Sequence, residues 1–134
     1  IETPEQARAV LSETGANGVM VGRAALGAPW LPAWIAAVLA GKPFAVPDLP
    51  QRLAWLMEQL LATHAFYGAE QGVRIARKHI QWTLKHKTLD VGDSVRSNER
   101  ACNELEALIA ALMRAKGASE QLDLVSAAFE LRAA

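Results

Sequence analysis

Asn17-Gly18-Val19-Met20-Val21-Gly22 is a short apolar run held between glycines. Such a run reads as a β-strand buried on both faces, the kind that parallel sheets use. The stretch before it reads as a helix. Thr3 can cap it, Pro4 suits its first position, Gln6 completes a capping box and Gly15 stops it after about Thr14. Helix, short turn and buried strand together form the second half of a parallel βαβ unit. The rest of the chain offers no second convincing strand. A lone strand leaves its N–H and C=O groups unpaired, at ~1–3 kcal/mol for each buried group. The expectation is therefore that its sheet neighbours lie upstream, and a chain opening on Ile1 rather than Met is read as a piece of something longer.

Composition supports a mostly helical protein around that strand. Of 134 residues, 26 are Ala and 17 are Leu, both strong helix formers. The length excludes a complete α/β barrel, which needs ~200 residues or more. Lys plus Arg equals Asp plus Glu at 14 each, which excludes a globally basic nucleic-acid binder and leaves room for a local basic patch. The single Cys102 allows no internal disulfide and no cysteine-based metal site; it reads as a small packed side chain in a reducing, cytoplasmic protein. His64, His79 and His86 are too scattered for zinc. No apolar run approaches the ~18 residues of a membrane span.

Downstream, Arg23 to Gly27 reads as a turn into a short helical segment, and a helix is expected over roughly 32–40, ended by Gly41. Lys42 to Pro47 is a proline-bearing loop and marks a domain boundary, giving units 1–46 and 47–134. Asp48-Leu49-Pro50-Gln51 is a second capped start. Its helix should run to about Tyr67, with Leu53, Leu56, Met57, Leu60, Leu61 and His64 inward, and break at Gly68. Further helices are expected over about 70–86, from Ser94 to Lys116 and from Ser119 to near Arg132, with a turn over 89–93 holding Gly92 at positive φ. Antiparallel helices joined by short loops suggest a bundle.

Two places carry candidate chemistry. At Gly22-Arg23 a buried strand would open into a short helix, where Gly22 permits close approach of an anion. The N–H groups of Arg23 and Ala24 and the Arg23 guanidinium could then donate to phosphate oxygens. A tight turn with a solvated arginine explains the same residues. The second place is Val73 to Lys87, which holds five of the 14 basic residues and no acidic one. At ~100° per residue, Arg74, Lys78, Gln81 and Lys85 form one stripe, with Arg77 on one edge and Trp82 on the other. Val73, Ala76, Ile80 and Leu84 lie opposite, and His79 falls between the faces. Such a stripe suits a nucleic-acid backbone, with Trp82 placed to stack on a base. A solvated charged face on an amphipathic helix is the competing reading.

The run from Gly15 to Trp30, with Gly22-Arg23 and the Gly27-x-Pro29-Trp30 continuation, resembles the last barrel strand of tRNA-dihydrouridine synthases. Gly72-x-Arg74-x-x-Arg77-Lys78-His79-x-x-Trp82 is similar to the Arg-Lys-His motif of their helical domain. Thr83 stands where the family usually has Tyr, and Lys87-Thr88-Leu89-Asp90 replaces a Gly-Pro-type turn; Arg100-Ala101-Cys102-Asn103 loosely resembles an Arg…Asn element. The resemblance covers about residues 1 to 115. It implies a mostly α chain: a helical tRNA-binding domain over 47–134, preceded over 1–46 by the last helix–strand unit of a (β/α)8 TIM barrel.

The family reduces uridine in tRNA with a hydride from reduced FMN, a proton from a barrel-loop cysteine, and NADPH to regenerate the flavin. The resemblance therefore implies that Gly22 and Arg23 help hold the FMN phosphate, and that Arg74, Arg77, Lys78, His79, Trp82 and Lys85 face tRNA. Cys102 does not match the catalytic cysteine, no catalytic residue is expected in this chain, and the chain alone is expected to be inactive. Two other readings stay open: a stand-alone helical RNA-binding or interaction module without catalysis, and the tail of another flavin barrel whose helices serve oligomerisation.

Overall fold

The computed structural model describes residues 1–86 and 99–133. The expected turn over 89–93 and the expected helix start at Ser94 lie outside the described residues. The chain divides into two units, Ile1–Pro47 and Asp48–Ala134.

In the first unit, helix α1 (Pro4–Thr14) starts where the cap predicts. Thr3 Oγ1 accepts from Gln6 N at 3.2 Å, and the Gln6 side chain reaches back to accept from Glu2 N at 2.7 Å. Arg23–Ala25 makes a 3-10 turn, and helix α2 (Leu31–Leu39) begins beside Pro32. Ala7, Ala28, Trp30, Leu31 and Ile35 form the buried cluster, with Val19 and Val21 packed against it.

The strand expected over 17–22 is not formed. These residues have no helix and no ladder, and no strand occurs among the described residues. Burial on both faces fails too: Val19 and Val21 turn toward the cluster, while Met20 between them is 87% exposed. The inward–outward alternation of a strand is present without a partner. A strand exists as secondary structure only through hydrogen bonds to a neighbour, and no other described segment supplies them.

In the second unit, Asp48 caps helix α3 (Leu49–Leu84) by accepting from Gln51 N at 2.9 Å. Gly68 interrupts α3 with φ 79° and ψ 167°, a region open essentially to glycine alone. The chain folds back there. Gly72 returns against His64, and Gln59 meets His79, so the two halves of α3 run antiparallel. A Cβ built on Gly72 would lie 2.8 Å from the His64 Cα and 3.0 Å from the Thr63 carbonyl oxygen, so only glycine permits this approach.

Helices α4 (Glu99–Arg114) and α5 (Ala118–Ala133) complete the unit. Leu56, Leu60, Ala76, Ile80 and Leu84 of α3 meet Leu112 of α4 and Val125, Ala128 and Phe129 of α5 in one core. Leu61, expected inward, is 55% exposed. It follows Leu60, which is fully buried, and one residue on a helix turns the side chain by ~100°. Burial of Gln121 is balanced by two hydrogen bonds. Its Nε2 donates to the Val73 carbonyl at 3.1 Å, and its Oε1 accepts from His64 Nε2 at 2.9 Å. No described helix is long and apolar enough to cross a membrane.

Candidate nucleic-acid interface and phosphate turn

The second half of α3 sorts its residues by angle. Val73, Ala76, Ile80 and Leu84 are each 0% exposed and fill the core. On the opposite side Arg74, Lys78 and Lys85 are exposed and Gln81 is half-buried. The cationic stripe therefore faces solvent because the apolar stripe faces α4 and α5.

Each edge of that stripe is fastened to a different element. On one edge the Arg77 Nη2 donates to the Ala115 carbonyl at 3.0 Å, at the C-terminal end of α4. That end carries the negative pole of the helix and a carbonyl free of intrahelical partners, which a guanidinium satisfies. The Arg77 Nε is buried without a hydrogen-bond partner. Arg77 thus joins helices as well as carrying charge.

On the other edge, His79 and Trp82 stack edge to face with centroids 5.3 Å apart, and the Lys78 ammonium sits 5.9 Å from the Trp82 ring centroid. Gln59, from the first half of α3, places its Nε2 3.3 Å from His79 Nδ1. An amide nitrogen only donates, so this contact keeps Nδ1 unprotonated and puts the ring hydrogen on Nε2. Burial first, and the adjacent Lys78 ammonium second, hold the imidazole below the usual histidine value of 6.5. His79 at neutral pH is therefore an uncharged donor beside the Lys78 ammonium.

The sign of its effect on stability follows. With the folded value lowered, the unfolded chain takes up this proton first as pH falls, so stability drops below about pH 6.5 and is level above it. His79→Gln should flatten the loss of melting temperature between about pH 7.5 and 5.5. An unchanged slope in thermal melts would show that this imidazole contributes nothing there.

In the first unit, Gly22 precedes the 3-10 turn and a Cβ built on it would meet nothing within 4 Å. The Arg23 side chain is exposed. The turn's own bonds run from Ala25 N to the Gly22 carbonyl and from Leu26 N to the Arg23 carbonyl, both at 3.0 Å. The N–H groups of Arg23 and Ala24 have no acceptor among the described residues. Cys102, on α4, is half-buried and forms no disulfide.

What fold and surface define together is a predominantly helical protein with one cation-rich helix face and one open glycine–arginine turn. The chain belongs to the dihydrouridine synthase family, whose family model matches residues 1–120. It is 49% identical over 85 residues to tRNA-dihydrouridine synthase B of Pseudomonas putida, covering 63% of this chain and 25% of that protein. It is also 41% identical over 135 residues to tRNA-dihydrouridine synthase B of Salmonella typhimurium, covering 97% of this chain and 36% of that protein. The relative from Pectobacterium carotovorum is 39% identical over 131 residues, with the same two shares. The chain thus spans between a quarter and little over a third of the length of the curated relatives it matches.

Sequence reasoning missed two partners of the candidate site, Gln59 and Ala115. Neither residue type signals a site, and both reach it only through the packing of α3 on itself and on α4.

Proposed function

We propose that this chain is the C-terminal part of an enzyme that reduces uridine in tRNA to 5,6-dihydrouridine, and that its task there is to hold RNA and one end of a flavin. The observation that carries the RNA half is the exposed stripe of Arg74, Lys78 and Lys85 beside a half-buried Trp82. Lys and Arg neutralise backbone phosphates and release their counterions, while an indole rim can stack on a base. His79 offers an uncharged Nε2–H, suited to a base edge or ribose oxygen as well as to phosphate. Arg77, fastened to Ala115, adds its charge to the edge of the stripe and keeps the helix in register with α4.

The flavin half rests on Gly22 and Arg23. Two backbone N–H groups without acceptors, an exposed guanidinium and an open glycine form a donor set that fits a phosphate monoester such as that of FMN. When bound, reduced FMN supplies the hydride and NADPH restores it. This chain's residues would only seat the phosphate: Gly22 by leaving room, Arg23 by charge and its N–H, and Ala24 by its N–H. In this reading Ile1–Pro47 is the last helix–strand unit of a (β/α)8 barrel. Residues 17–22 would pair with strands from the rest of the enzyme, which would also cover Met20. Cys102 has no part in the chemistry.

The test uses the 134-residue chain with unmodified tRNA. It should bind tRNA with an affinity whose logarithm falls against log salt with a slope of roughly −3 or steeper, since the three exposed cations of the stripe alone would neutralise about three phosphates. With FMN and NADPH added it should form no dihydrouridine. Absence of binding at low salt removes the RNA assignment, and turnover by this chain removes the division of labour proposed for it.

A further inference from the structure

Arg77 does more than border the cationic stripe. Its guanidinium ends on the Ala115 carbonyl, so the close of α4 lies against the edge of the stripe. Ala115 is buried, and the residues on either side of it, Arg114 and Lys116, are both exposed cations. The next helix is anchored here as well, since Lys116 N donates to Glu120 Oε2 at 3.1 Å. The fold therefore places two further cationic residues, from a segment far away in sequence, on either side of the carbonyl that Arg77 reaches. Glu120 is the acidic group at this turn, and one of its two carboxylate oxygens accepts from that backbone N–H.

We propose that Arg114 and Lys116 are part of the RNA-binding surface, extending the stripe of α3 across the Arg77–Ala115 contact onto the end of α4. The inference deepens the RNA-binding reading above and rests on it. A single helix stripe follows a phosphate backbone along one line only. Cations on both sides of Arg77 make a two-sided cradle, which suits a folded RNA whose phosphates approach from two strands. Neither residue enters the core, so each can be changed without disturbing the packing.

The experiment measures tRNA affinity of the full chain across a salt series for Arg114→Glu and Lys116→Glu. Lys42→Glu, an exposed lysine of the first unit, controls for net charge alone, and Arg74→Glu reports on the stripe itself. Circular dichroism melts confirm that each variant is folded. Arg114→Glu and Lys116→Glu should each weaken binding about 5- to 10-fold beyond Lys42→Glu and take about one unit from the salt slope. If both match Lys42→Glu while Arg74→Glu weakens binding, the extension is wrong and the stripe stands. If Arg74→Glu also matches Lys42→Glu, the RNA-binding reading falls and takes the extension with it.

Discussion

Gly72→Ala should lower the melting temperature of the helical unit by roughly 10 °C, equivalent to about 2 kcal/mol for a domain of this size. The added methyl would sit 2.8 Å from the His64 Cα and 3.0 Å from the Thr63 carbonyl oxygen, both backbone atoms of a helix. No side-chain rotation relieves that clash, so the two halves of α3 must part. Parting them loosens Leu60 against Ala76 and pulls His64 from Gln121, whose buried Oε1 then loses the donor it accepts from. Gly117→Ala is the matched control, since its added Cβ would meet only the Glu120 Cβ at 4.0 Å. It should melt within a degree or two of the parent. Equal melting temperatures for the two variants would mean that α3 does not close on itself as described.

Arg74→Glu combined with Lys78→Glu should reduce tRNA affinity by about two orders of magnitude near 0.1 M salt and remove about two units from the salt slope. Both side chains are exposed, so stability should be unchanged. The loss should shrink as salt rises, because it is a loss of counterion release. A loss of the same size at all salt concentrations would point to a damaged fold or to a contact of another kind. The Lys78 change also removes the ammonium from over the Trp82 ring, a smaller effect that salt screens less.

Much of the local architecture was legible in the sequence because its causes are local. Thr3 and Asp48 cap helices because a side-chain oxygen two or three residues before a free N–H needs nothing else to act. The break at Gly68 needs only the absence of a Cβ. The buried face of Val73, Ala76, Ile80 and Leu84 follows from helical spacing, and all four are fully buried. Leu61 shows the limit of such spacing: it follows the fully buried Leu60, and a step of ~100° carries it out to 55% exposure.

The run at 17–22 shows a different limit. Its alternation survives in Val19, Met20 and Val21, yet strand structure depends on a neighbour that no residue in the run can specify. The candidate site divides the same way. The sequence alone determined that one helix carries a cationic stripe opposite an apolar one, since both follow from residue type and a fixed angular step. Only the tertiary structure decided that Arg77 ends on Ala115, between the exposed Arg114 and Lys116, and that Gln59 meets His79. Those contacts join residues 20 to 38 positions apart, and hydrogen bonds over such separations form only where the packed core has already brought the helices together.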